Sequence, residues 1–168
     1  MADKYIRNNA GVLTEKEATV VSAGAGDAGE IVALDSTGRI DLTVLPVGIG
    51  PDVYEIEASE NLSAGDFVNV WNDGGTAKVR KADATTAGKQ AHGYVLDTVT
   101  SGADATVYFE GSNTQVSGAV PGPVFLATSA GGFTDTAPST SGNVVQRLGV
   151  AVSATVINFE RTLHYVLA

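Results

Sequence analysis

Few side chains in this sequence could do acid–base, metal or nucleophilic chemistry, and they are poorly grouped. His92 and His164 are the only histidines, and there is no cysteine. Neither histidine stands in an HxH, HExxH or paired-carboxylate setting, so no metal site is expected. His92 precedes Gly93 in a strand-like segment, where a hydrogen-bonded structural ring is the expectation. His164 lies beside Tyr165 near the C-terminus, where an interface or terminal-strand role fits better than catalysis. No serine occupies a Gly-x-Ser-x-Gly elbow, and Ser101 and Ser117 simply precede glycines, as loop residues do. Asp52, Glu55, Glu57 and Glu60 alternate with Val53, Tyr54, Ile56 and Ala58, which turns Glu55 and Glu57 outward on a strand. That is a solvated face; a glycosidase pair needs carboxylates set across a cleft. The Asp-x-Asp-x-Asp-Gly pattern of a calcium loop is missing. Ser22-Ala23-Gly24-Ala25-Gly26-Asp27 lacks the lysine and following helix of a phosphate loop. Lys78-Val79-Arg80-Lys81 reads as the polar face of a strand, where lysine also guards an edge. No catalytic residue and no cofactor is expected, and an enzyme is not.

The elements carrying these residues follow from composition. The chain has 168 residues, enough for one domain with an appendage. Nineteen acidic against ten basic residues give a net charge of −9, which argues against a nucleic-acid partner. Twenty glycines, abundant Thr, Ser, Val and Ala, and one methionine favour strands and turns over a helical bundle. The opening Met-Ala-Asp-Lys-Tyr-Ile-Arg-Asn-Asn lacks the apolar run of a secretory signal. Gly111 to Thr134 carries no charge, yet Pro121, Pro123 and its glycines disqualify it as a membrane span, so no membrane partner is expected.

Aromatic residues divide the chain. Residues 1–50 hold only Tyr5, and all other aromatics follow Pro51. Because aromatic rings supply much of a core's buried area, the core is expected in residues 51–168, with 1–50 an extended N-terminal arm. Pro46, Gly48, Gly50 and Pro51 mark the boundary. Within the arm, Thr14 and Glu17 have capping-box spacing, so Val12 to Thr19 could open a short helix. The alternation of Ile40, Leu42 and Val44 with Arg39, Asp41 and Thr43 predicts a strand with one apolar side. An arm without its own core is mobile or docked, since ordering each residue costs on the order of 1–2 kcal/mol. Docking is the expectation, through Tyr5, Ile6, Leu13, Ile40, Leu42, Val44 and Leu45.

The body contains an internal repeat. Gly65, Gly74 and Gly75 recur as Gly122, Gly131 and Gly132, each 57 positions later. Ala87 to Val95 is echoed by Ser141 to Ala151, and Ala105 to Glu110 by Ala154 to Glu160. Each copy, about 62–111 and 119–160, reads as strands joined at glycine turns, predicting an all-β antiparallel barrel or sandwich of two pseudo-repeats. Residues 51–111 carry ten acids and four bases, whereas 112–168 carry only Asp135, Arg147, Glu160 and Arg161. Interface cores are depleted of charge, so the second copy is expected to contact other subunits, with Val124, Phe125 and Val156 packing within the body or between protomers.

Leu62 to Val70, Ala77 to Asp83 and Ala91 to Val95 resemble the capsid decoration (cement) proteins of tailed bacteriophages. A turn with "AGD", a strand, a "KVRKAD"-like segment and a small-residue-glycine strand recur in that family. Val120 to Thr128 and Asn143 to Gly149 are similar to the endings of such virion proteins, and Gly26 to Asp41 resembles linkers of phage fibres and head proteins. The resemblance implies a β-barrel body, commonly trimeric, on the outside of the capsid of a virion made in the host cytoplasm. There it would bind the major capsid protein and cement neighbouring subunits. The alternative is a receptor- or glycan-binding module of a tail or fibre, with Trp71 beside Asn72-Asp73-Gly74-Gly75 as its candidate aromatic contact.

Overall fold

The computed structural model describes residues 3–45 and 52–168, so the expected boundary at Pro46, Gly48, Gly50 and Pro51 lies outside the described residues. By internal contacts the chain divides into two units, Met1–Gly50 and Pro51–Ala168.

The N-terminal unit begins with an antiparallel hairpin of β1 (Lys4–Asn9) and β2 (Val12–Glu17). A helix over Val12 to Thr19 does not form. Ala10 and Gly11 both have positive φ, 50° and 91°, and so make the two-residue turn whose twist matches a hairpin. Asn8 Oδ1 accepts the Gly11 N–H at 2.8 Å, and the Thr14 hydroxyl reaches back to the Arg7 carbonyl across the strands at 3.4 Å instead of capping a helix. Past the hairpin, Thr19 meets Val32 in a single parallel bridge. The strand predicted through Ile40, Leu42 and Val44 is absent as well; Leu42–Val44 is a 3-10 turn. Asp41 decides this locally, because its carboxylate accepts both the Thr43 N–H (2.9 Å) and the Thr43 hydroxyl (2.6 Å), which curls the chain. An isolated strand with no neighbour has nothing to set against that local bond.

The second unit is all-β and antiparallel throughout its ladders. Its first sheet comprises β3 (Val53–Glu57), β4 (Phe67–Asp73), β5 (Thr76–Lys81), β6 (Gly93–Tyr94) and β7 (Asp104–Tyr108), in the spatial order β3-β7-β6-β4-β5. The second comprises β8 (Gly111–Asn113), β9 (Gly122–Leu126), β10 (Phe133–Thr134), β11 (Val144–Ser153) and β12 (Val156–Phe159), in the order β8-β12-β11-β9-β10. A last strand, β13 (His164–Val166), pairs with the start of β11.

Alternation along β4 explains why the first sheet has two buried faces. Phe67 points to a core shared with the second sheet, built with Tyr94, Val124, Leu126, Leu148, Ile157 and Phe159. Val68 points the other way, into a cluster with Ile56, Leu62, Val79, Val95 and Val107 that belongs to the first sheet alone. A flat sheet could not enclose that second cluster, so this one curls. Its edges meet where Ala58 bridges Val79 and the Ser59 N–H donates to the Val79 carbonyl at 2.8 Å. One bridge is not a ladder, so the body is two open sheets and not a closed barrel. Aromatic rings tie the sheets together, with Phe67 5.7 Å and Tyr94 5.8 Å from Phe159 between centroids. Each fully buried large apolar side chain contributes roughly 1.5–3 kcal/mol, so this shared core accounts for much of the association of the sheets.

Candidate interaction surfaces

No described residue of the N-terminal unit is buried, and eight of the fourteen exposed large hydrophobics among the described residues lie in it. The hairpin register puts Ile6 opposite Glu15 and Asn8 opposite Leu13, so Ile6 and Leu13 are diagonal neighbours on one face. They are 63% and 72% exposed. Tyr5 lies on the opposite face, paired with Lys16; it is half-buried, and its hydroxyl is buried with no hydrogen-bond partner among the described residues. On that face Lys16 forms an ion pair with Glu30, which also accepts the Thr19 hydroxyl at 2.7 Å. The Lys16 hydrogen bond is the larger cause holding Glu30 below the usual carboxylate range, with the Thr19 bond adding to it. Ile40 is exposed, whereas Val44 and Leu45 are half-buried. Leu42 lies on the 3-10 turn, and its side chain falls outside the described residues.

In the body, the structure separates the three predicted contact residues. Val124 is fully buried in the shared core, so its work is internal packing. Phe125 and Val156 are half-buried. His164 and Tyr165, for which the sequence suggested an interface or terminal-strand role, lie on β13; Tyr165 and Val166 on that strand are 61% and 48% exposed, and Leu163 just before it is 96% exposed.

The chemistry-bearing residues are occupied with one another. Lys78 lies 3.1 Å from Glu57 and 3.2 Å from Asp73, and Lys81 lies 3.2 Å from Asp66. The Arg80 guanidinium stacks over the Trp71 ring at 4.9 Å and donates to Asn69 Oδ1 at 3.0 Å. The two lysines of the β5 cluster are thus paired with carboxylates, while Arg80 is held by neutral partners. Trp71 is half-buried, and its indole N–H donates to the Ser59 hydroxyl at 3.2 Å. Asp52, Glu110 and Glu160 line an open hollow with Phe109 and Arg161. Among the described residues, no group of three or more His, Asp or Glu is placed to hold a metal ion.

His92 acts as a surrogate strand. β6 begins at Gly93, and just before it the Val70 N–H of β4 donates to His92 Nδ1 at 3.1 Å where a backbone carbonyl would otherwise stand. A ring that accepts at Nδ1 carries its proton on Nε2. That nitrogen lies 3.3 Å from the Gln90 side-chain amide, whose oxygen is buried and without a partner. Interchanging the amide's oxygen and nitrogen turns this donor-to-donor contact into a hydrogen bond from the Nε2–H to the amide oxygen. Burial, more than the nearby Arg161, holds the His92 pKa below its ordinary value.

No family model matches the chain, and neither the curated proteins nor the solved structures give a match.

Proposed function

We propose that this chain is a structural virion protein that binds the outside of a phage head and cements neighbouring major-capsid subunits. One observation carries the reading: a unit of described residues 3–45 in which no described residue is buried as a whole, with Ile6 and Leu13 diagonal neighbours on one exposed hairpin face. A two-stranded hairpin is marginal in water, so such a unit gains its stability from a surface that covers it. In this reading it is an arm laid on the capsid, and the β body is a homo-oligomer, a trimer by the resemblance. Repetition of weak arm contacts around that oligomer supplies avidity, because each bound arm raises the effective concentration of the next.

The reading takes the body to be two copies of one β unit. Matching β3 to β8, β4 to β9, β5 to β10, β6 to β11 and β7 to β12 turns one sheet's strand order into the other's, which supports it. So do Gly93 and Gly149, equivalent positions at which an added Cβ would lie 2.5 Å and 2.0 Å from the carbonyl oxygen of the next strand. The receptor- or glycan-binding alternative loses weight, because Trp71 is engaged by Ser59 and Arg80.

The test is co-sedimentation of the full chain with undecorated heads, beside the Ile6→Ser/Leu13→Ser variant. Retained oligomer with binding weakened about tenfold or more is the expected result, as for loss of two interface anchors. Wild-type binding by the variant and by a chain lacking residues 2–45 would remove the arm from the mechanism. Failure of the wild-type chain to bind heads would remove the reading itself.

A further inference from the structure

We propose that the open edge of β13, with Leu163, Tyr165 and Val166, is the surface through which one copy of this chain joins another. The proposal deepens the homo-oligomer part of the function proposed above, and rests on three observations from different levels of the structure.

The first is backbone. Among the described residues β13 pairs with β11 on one side only, through Val144–Val166, Val145–Tyr165 and Gln146–His164, and its other edge has no strand beside it. Such an edge invites another strand unless charge, proline or a bulge blunts it. The stretch from Thr162 to Ala168 has no proline, lysine or carboxylate side chain to do so.

The second is apolar exposure. Of the six exposed large hydrophobics among the described residues of the body, three fall within residues 163–166, and Leu163 is 96% exposed. Val152, the exposed residue at the far end of β11, stands seven positions from Val145, about 23 Å along the strand, and so belongs to another patch.

The third is charge, and it selects a second copy as the occupant. Residues 51–111 carry a net −6 (ten acidic, four basic), so two chains meeting there repel each other. Residues 112–168 carry two acidic and two basic side chains and a net charge of zero. On a chain of net −9 this half is where a copy of itself can approach without like-charge repulsion. An edge strand of this kind accepts a strand whose side chains are also uncharged, which the same segment of a second copy provides.

Sedimentation velocity on the full chain across the micromolar range tests this without heads being present. The wild type is expected to sediment as a multiple of 17.1 kDa. Leu163→Lys/Tyr165→Lys is expected to raise the dissociation constant about tenfold or more. Both side chains are exposed, so the variant keeps its core, checked by an unchanged far-UV spectrum. Val152→Lys, at the other end of β11, and Ile6→Ser/Leu13→Ser, in the N-terminal unit, are expected to leave the mass unchanged. A wild type that stays at 17.1 kDa overturns the proposal. So does a double-lysine variant of wild-type mass, or a Val152→Lys variant that dissociates equally. Head binding by the same proteins is read separately, so loss of this surface and loss of the capsid reading remain distinguishable.

Discussion

Replacing Gln146 by leucine tests whether the two sheets of the body unfold as one. Gln146 is 1% exposed on β11, and its amide clamps the backbone of Ala91, before β6. Its Oε1 accepts the Ala91 N–H at 2.7 Å and its Nε2 donates to the Ala91 carbonyl at 2.8 Å. Leucine nearly preserves the volume but neither donates nor accepts, leaving two backbone groups unpaired at a residue of zero exposure. Each orphaned buried group costs about 1–3 kcal/mol, or roughly 2–6 kcal/mol for the pair. Burial of the more apolar leucine recovers on the order of 1–2 kcal/mol. The expected net loss therefore spans about 0–5 kcal/mol and centres on about 2.5 kcal/mol, a large share of a typical domain stability of about 5–15 kcal/mol. The assay is urea unfolding followed by fluorescence of Trp71, the only tryptophan, together with far-UV circular dichroism. Trp71 lies on β4 in the first sheet while the substitution lies in the second, so the fluorescence midpoint moves only if the sheets are coupled. The two probes should shift together to lower urea with an unchanged slope. A Trp71 transition that stays in place while the circular-dichroism transition moves would refute the coupling, and a variant more stable than the wild type would refute the clamp.

Three further outcomes follow from the same geometry. Gly149→Ala places a Cβ 2.0 Å from the Asn158 carbonyl oxygen at φ +138°, and Gly93→Ala places one 2.5 Å from the Tyr108 oxygen. Backbone must move in both, so each should lower the unfolding midpoint by the equivalent of about 1–3 kcal/mol or more, measured by the same urea titration. Folding holds the His92 pKa below its ordinary value of 6.5, so the unfolded chain takes up the proton first. Stability from this site is therefore present above that value and is lost as pH falls through it toward the folded pKa; His92→Asn should flatten that part of a thermal-unfolding pH profile. Tyr94 has its pKa pushed up to about 12, first by burial and then by neighbouring Tyr108. Its stabilisation is lost as pH rises above the usual tyrosine value, and an ultraviolet titration of the folded protein should show one late-ionising tyrosine that is missing in Tyr94→Phe.

The sequence alone carried the features that depend on local pattern and composition. Alternation marked β3 at Val53–Glu57 and the strand face of Lys78 and Arg80 on β5, because a half-buried strand repeats every two residues. The aromatic count placed the buried residues after Pro51, and among the described residues every buried one lies there. The glycines marked turns, and Gly65, Gly74, Gly75 and Gly131 do have the positive φ that few other residues fit.

Only the tertiary structure decided questions that turn on which segments meet. Val12–Glu17 became β2 because β1 lies beside it, and Leu42–Val44 curled because no strand does. Neighbouring Val124 and Phe125 differ in burial, and only the packing of β9 against β11 and the shared core assigns which one is inside. The Ala91–Gln146 clamp spans 55 residues, and the exposed edge at β13 exists because β13 is paired with β11 on one side alone. Pattern reports the period of a strand; it does not report the strand's neighbours, and burial, hydrogen-bond partners and open edges are all properties of neighbours.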